Sequence, residues 1–331
     1  MSESLKLSVV IPTYKRPDML RRCLDALARQ SLAPEYFEVI VADDGPDAAT
    51  HDEVFDFQKQ SAFAVHYVPV VQTQGPAGAR NAGWKRARAD IIAFTDDDTI
   101  PDGAWLEEGW KAFADPSVAA LWGYIDVPLP AEPTDYEWDA AGLSRAEFAT
   151  ANCFCRRNIL ERTGGFDERF TAAWREDSDL YFSILECSKA SHPPQKVQHV
   201  PSAVVVHPVR PASWGVSLRQ QKKSLFNALL YKKHPRLYGE KIQAHPPWLY
   251  YGILLALLVL GGSLVFSIKP LAWLAFFVWL ALTLRFLQKR LAHTSRQLKH
   301  ICEMIVTSLV IPLLSIYWRL RGALHFRVLF L

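Results

Sequence analysis

Three aspartates stand side by side in FTDDDTIP (94–101): Asp96, Asp97 and Asp98, directly after an apolar run. Adjacent carboxylates repel, and a strand end is a poor place to leave them unpaired. Residues two apart on an extended segment face the same way. Asp96 and Asp98 therefore offer two oxygens to a hard divalent cation, Mg²⁺ or Mn²⁺, whose other positions water and phosphate oxygens fill. An acidic loop capping the helix that starts near residue 103 would look similar. In ADDG (42–45), Asp43 and Asp44 can accept hydrogen bonds from a nucleobase or a ribose hydroxyl, or make an Asx turn. GPAGARNAGW (75–84) has glycines for close backbone approach and a helix N-terminus, with Arg80 and Asn81 in the first turns, which suits a diphosphate. It has neither the dinucleotide spacing nor a GK[ST]. GGFDERFTAAWREDSDLYFSI (164–184) carries Glu176, Asp177 and Asp179. A carboxylate there can take a proton from an attacking hydroxyl, though acid also gathers at helix N-termini for the dipole alone. His207, closing VVVHP, is a nitrogen ligand for the same cation or a structural histidine.

These residues need a scaffold, and residues 5–245 supply a repeating pattern. Short apolar runs at 5–13, 37–45, 63–70 and 91–98 read as strands. Between them, 16–30, 47–60, 75–88 and 103–114 have helical character, as in Met19, Leu20, Cys23, Leu24 and Leu27. Regular β–α alternation predicts an α/β fold, a mostly parallel twisted sheet with helices on both faces. Ligands in such sheets bind beyond the carboxyl ends of the strands. IPTY (11–14), ADDG and TDDD all fall there. The segment 120–150 is expected as loops, and Trp122, Tyr136, Trp138 and Trp174 are aromatics that could stack on a ligand ring or belong to the core.

The chain has 331 residues and a formal net charge of +3, so no global nucleic-acid signature is present. Its five cysteines include no CxxC, which predicts reduced thiols in a cytosolic compartment. Cys153 and Cys155 share a strand face but lack partners for a metal site. MSESLKLSVVIP does not read as a signal peptide. Near residue 246 the composition changes. Residues 246–268 hold an uncharged stretch long enough to cross a bilayer, and 270–284 are aromatic and uncharged. Basic stretches at 219–241 and 285–300 flank them, predicting a two-span hairpin, about 248–268 and 270–287, with both flanks cytoplasmic. A third apolar segment, 301–318, contains Glu303 and Pro312 and is expected either to cross or to lie in the interface. The expected division is a catalytic domain over 1–240 and a membrane-associated region over 241–331.

Taken in order, VVIPTYKRPDML, VADDG, GPAGARNAGW, FTDDD, GGFDERF and REDSDL resemble the family-2 glycosyltransferases of the GT-A fold, over about residues 7–235. The resemblance is to membrane-anchored bacterial-type members. It implies inverting transfer of a sugar from a nucleotide diphospho-sugar, with a UDP-sugar as first candidate, to a hydroxyl acceptor, lipid-linked or part of a cell-envelope glycan. By position, Pro12, Thr13, Tyr14, Asp43, Asp44, Arg80, Asp96 and Asp97 would hold the nucleotide-sugar. Asp98, with Asp96 and His207, would hold the metal. Asp177 would be the catalytic base, and Asn152, Trp174 and Glu176 would lie toward the acceptor. Gln220 and Gln221 are followed by Lys222, Lys223 and Ser224, not by the QxxRW of processive synthases, which argues against polymerisation. The implied location is the inner membrane, with the catalytic domain facing the cytoplasm. A non-catalytic scaffold of the same fold and a nucleotidyltransferase-type metal enzyme are the alternatives. The second would need a glycine-rich basic loop that TYKRPD lacks.

Overall fold

The computed structural model describes residues 5–330; residues 1–4, part of the stretch read for a leader, and residue 331 lie outside the described residues. The chain forms two compact units. Unit 1 comprises the chain up to Pro128 and Gly142–Pro208; unit 2 comprises Leu129–Ala141 and the chain from Val209 onward.

Unit 1 opens with β1 (Leu7–Thr13), α1 (Pro17–Leu27), β2 (Phe37–Asp43), α2 (Ala48–Gln58), β3 (Ala64–Pro69), α3 (Pro76–Arg86) and β4 (Ile91–Phe94). The expected strands and helices over this stretch are present, except that the strand expected over 91–98 ends at Phe94 and leaves the three aspartates in a turn. β1, β2 and β4 are buried along their whole length, the signature of interior parallel strands. Leu7, Val9 and Ile11 point to one face, against Leu20, Leu24 and Leu27 of α1 and Val54 and Phe57 of α2. Each such side chain withdrawn from water contributes about 1.5–3 kcal/mol. On the other face, α3 lies so close to β1 that a Cβ on Gly83 would stand 2.4 Å from Val10 Cγ1.

β5 (Ile100–Pro101), α4 (Trp105–Ala112) and β6 (Val118–Asp126) follow. The chain then gives α5 (Asp135–Ala140) to unit 2 and returns with β7 (Cys153–Arg156), α6 (Arg157–Thr163), α7 (Glu176–Lys189) and β8 (Lys196–Val206). The eight strands form one sheet in the order β3-β2-β1-β4-β7-β6-β8-β5. Its first half is parallel as expected. Beyond β4 it is mixed, because β7 runs antiparallel to both β4 and β6, and β5 antiparallel to β8. β6 corrects the expectation of loops at 120–150: the start of that stretch is an interior strand between β7 and β8.

Unit 2 contains α5, α8 (Val216–Gln220), α9 (Leu225–Lys233), α10 (Pro235–Lys241), α11 (Trp248–Val265), α12 (Lys269–Leu291) and α13 (Leu298–Phe326). α11, α12 and α13 are each long and apolar enough to cross a membrane.

Candidate active site

Register brings the motifs of unit 1 to one rim. β1 and β2 end level, Thr13 opposite Asp43, and Asp44 N donates to Thr13 O at 2.8 Å. β4 ends opposite Val10, so the three aspartates follow in a turn beside the end of β1. That turn is pinned from inside. Thr95 Oγ1 donates to Ala151 O at 2.9 Å and Thr99 Oγ1 to Asp96 O at 2.7 Å. β5 then pairs with β8, Ile100 opposite Val206, which sets His207 level with the aspartate turn. One ligand atom from each of Asp96, Asp98 and His207 lies within 4.8 Å of the others. His207 Nε2 stands 3.6 Å from Asp98 Oδ1.

Asp97 points the opposite way. It is fully buried, its Oδ2 accepting Thr13 Oγ1 at 2.8 Å and its Oδ1 ion-paired with Arg16 Nη2 at 2.9 Å. Burial and the like charges of Asp98 and Asp96 push its carboxyl up to about 7, against the pull of Arg16 and Thr13. Asp97, expected on the nucleotide-sugar, is instead the inward anchor that turns its two neighbours outward. Thr13, expected on the nucleoside, has its hydroxyl committed to the same anchor. Arg16 was not singled out in the sequence. Its other nitrogen, Nη1, stands 3.5 Å from Asp98 Oδ2.

Arg80 is buried and joins the aspartate turn to α7. Its Nη2 is 2.6 Å from Asp96 Oδ1 and its Nη1 3.1 Å from Glu176 Oε1. Burial alone would raise Asp96; Arg80, His207 and Arg16 outweigh it and hold that carboxyl below the ordinary value. Glu176 goes the other way. Burial first, then Asp177, raise it to about 7 despite Arg80. So Arg80 faces two carboxylates, and Glu176, expected toward the acceptor, is a buried partner of Arg80. Asp177 sits in the first turn of α7 and is half-buried, its Oδ1 accepting Ser178 N at 2.6 Å.

Asp43 is buried, takes Tyr67 OH at 2.8 Å, and is raised chiefly by burial. Both oxygens of Asp44 accept Gly75 N at 2.8 Å, and burial raises it as well. Gly75 has φ +117°, a conformation glycine adopts freely, and it opens α3 directly over this carboxylate. Pro12 is buried inside β1; Tyr14 is 50% exposed, packed over Gly45.

The sequence matches the profile of Glycosyl transferase family 2 over residues 8–166 and that of Glycosyl transferase family group 2 over residues 91–288. The chain belongs to glycosyltransferase family 2. Among curated relatives of this family-2 chain, Glycosyltransferase AglE of Haloferax volcanii is 25% identical over 227 residues, 65% of this chain and 70% of that protein. Validoxylamine A glucosyltransferase of Streptomyces hygroscopicus subsp. limoneus is 30% identical over 217 residues, 54% of this chain but only 47% of the relative. The match thus spans about half of that longer protein. The mannosyltransferase PcManGT of Pyrobaculum calidifontis, solved with GDP-Man and Mn²⁺, superposes with a TM-score of 0.58 at 19% identity, covering 93% of this chain and 88% of its own. That likeness concerns the GT-A fold.

Within the family-2 chain several residues expected at the ligands have partners inside the protein. Asn152 is fully buried, accepting Trp105 Nε1 at 2.8 Å and donating to Tyr124 O and Ala203 O, both at 2.9 Å, so it ties strands together and offers no face to an acceptor. Asn81 likewise holds α3 to Phe166 and Glu168 rather than facing a diphosphate. Trp122 stacks on His199 with Tyr181 at its edge and is partly buried. Trp174 is partly exposed, with the Arg175 guanidinium 4.6 Å over its ring. In unit 2, Trp138 stacks on His293.

Proposed function

We propose that this chain transfers a sugar from a nucleotide diphospho-sugar to an acceptor hydroxyl with inversion. The observation that carries the reading is the convergence of Asp96, Asp98 and His207 on one point at the carboxyl rim of the sheet. Two carboxylates and an imidazole are a donor set suited to Mg²⁺ or Mn²⁺. Asp98, Asp96 and His207 are the residues that would hold the ion. Bound there, such an ion supplies positive charge against the diphosphate leaving group.

The chain's own residues do the rest. Asp97, tied to Thr13 and Arg16, keeps the aspartate turn in register. Arg80 holds Asp96 and the first turn of α7 together, which fixes Asp177 at the same rim. Asp177 is the base: it takes the proton from the acceptor hydroxyl as that oxygen attacks the anomeric carbon and the nucleoside diphosphate departs. The exposed ring of Tyr14 and the neighbouring Asp43 and Asp44 serve the nucleoside. A UDP-sugar is the first candidate, with GDP- and dTDP-sugars as alternatives. The apolar helices of unit 2 anchor the enzyme in the cytoplasmic membrane with their basic flanks inside, which favours a lipid-linked or envelope acceptor.

The test is calorimetric binding of UDP, GDP and dTDP to the detergent-solubilised chain, each with Mn²⁺ and with EDTA. Binding of one nucleotide that disappears with EDTA supports the reading and names the base. A folded sample that binds none of them removes it and leaves the non-catalytic scaffold.

A further inference from the structure

Length and composition rank α13 with α11 and α12, but its surroundings within unit 2 set it apart. α11 and α12 fold back on each other, with Tyr250 against Phe286 and Gly252 beside Leu282. The far half of this hairpin is bare. Leu258, Leu264, Phe266, Trp273 and Phe277 are exposed, and a Cβ on Gly261 or Gly262 would meet nothing within 4 Å. A third span would cover part of that surface.

α13 instead runs across the near end. Arg290, in the last turn of α12, donates from Nη1 to Thr307 Oγ1 at 2.6 Å and to Ser308 Oγ at 3.0 Å. Ile311 packs with Ile253 and Phe286. Arg319 Nη1 donates to Gln243 Oε1 at 3.1 Å, ahead of the start of α11. The stretch from Thr307 to Arg319 therefore bridges the base of the hairpin from one leg to the other. The face that does this is covered along its length. Glu303 Oε1 accepts Gly215 N at 2.7 Å, Gly322 lies against the backbone of Leu225, and Lys232 Nζ donates to Phe326 O at 2.8 Å.

The opposite face is open and its central stripe is apolar, with Arg321 at the edge donating from Nη1 to Tyr317 OH at 3.3 Å. Ile305, Leu309, Leu313, Tyr317, Leu320 and Leu324 recur every three or four residues and are all exposed. Protein on one side and an apolar stripe on the other is the profile of a helix lying in an interface. Charge agrees with that placement. Unit 2 holds 17 of the 37 basic and 6 of the 34 acidic residues, a formal +11 against −8 for unit 1. Its basic residues crowd 219–241, 285–299 and 319–327, at the hairpin base and along α13, whereas the far turn carries only Lys269.

We propose that α13 does not cross the membrane but lies in its plane, its apolar stripe sunk into the acyl chains of one leaflet and its flanking cations among anionic headgroups. The anchor is then a two-helix hairpin braced by an in-plane helix, with both ends of α13 on the side of the basic flanks.

The inference rests on α11 and α12 being the membrane anchor, and the experiment separates the two. Single cysteines replace Ile305, Leu313, Leu324 or Phe277 in the full chain, with Cys302→Ser and Cys187→Ser removing the more accessible thiols. Each variant carries an environment-sensitive fluorophore and is reconstituted in phosphatidylglycerol–phosphatidylcholine vesicles. The vesicles contain a nitroxide lipid labelled near the headgroup or deep in the chain. The expected result is a shallow-to-deep quenching ratio above one at all three α13 positions and below one at Phe277→Cys. A ratio that drops below one at Leu313→Cys alone means that α13 crosses, and overturns the proposal. So does no quenching on α13 while Phe277→Cys is quenched deep, which would put α13 off the bilayer. No quenching at Phe277→Cys overturns the anchor itself.

Discussion

Asp177 and Glu176 are neighbours in the first turn of α7 with different surroundings, and that difference separates their expected behaviour. Asp177 is half-buried at the rim, so Asp177→Asn is expected to lower transfer about 10²–10⁴-fold while nucleotide binding by calorimetry stays near wild type. Loss of nucleotide binding would remove it as base. Glu176 is sealed against Arg80. Removing Arg80 leaves two carboxylates, Asp96 and Glu176, without their counter-charge, which typically costs about 3–5 kcal/mol. Arg80→Met should therefore lower the thermal midpoint strongly, and adding Glu176→Gln should recover part of the loss. If the double variant melts below the single one, the electrostatic account fails. Glu176 also predicts a pH dependence. Its carboxyl is raised from the ordinary 4.5 to about 7, so the folded chain holds that proton more tightly than the unfolded chain. The associated stability is full below about 4.5 and is lost as pH rises through about 7. With EDTA present, the thermal midpoint should fall from about pH 5 to about pH 8, and Glu176→Gln should flatten that slope; an unaltered slope would assign it elsewhere.

At the level of elements, the position of Arg80 depends on how α3 rests on β1. A methyl group at Gly83 would meet Val10 Cγ1 at 2.4 Å. In an exposed helix, Gly→Ala gains about 1 kcal/mol; here overpacking should cost about 1–3 kcal/mol, so the sign of the effect is diagnostic. Gly83→Ala is expected to lower the melting temperature and weaken nucleotide binding by displacing Arg80, with Val10→Ala restoring space. A stabilised Gly83→Ala would show that α3 is free to lift. The alternating strands and helices up to β4 were legible because burial on both faces writes continuous apolar runs and helices write a different period. β6 was not. It reads with the rest of 120–150 as loop although Trp122 and Tyr124 are strand formers, and pairing with β7 and β8 shows it as a strand.

For the molecule as a whole, charge and hydrophobicity are divided between the units. Unit 2 carries the surplus of cations and the three apolar helices. A protein held by charge alone leaves a membrane in high salt, because screening shortens the reach of its cations. This one is expected to stay in the membrane fraction through high-salt and alkaline carbonate washes and to be released only by detergent. Release by salt would mean that the hairpin does not insert.

The sequence by itself determined the local matters. It gave away the strand ends bearing acid, the glycine-opened helix with Arg80, the apolar stretches and the basic flanks, because period, propensity and hydropathy are properties of neighbouring residues. It also determined the family, since six short motifs recur in order. Tertiary structure alone decided what each polar residue faces. Asp97 turns inward to Thr13 and Arg16, Asn152 is consumed by strand contacts, and Arg80 meets carboxylates. His207 joins Asp98 only through the antiparallel pairing of β5 with β8 across more than a hundred residues of chain. Such partnerships are fixed by register and burial, and neither is written in the spacing of the residues that make them.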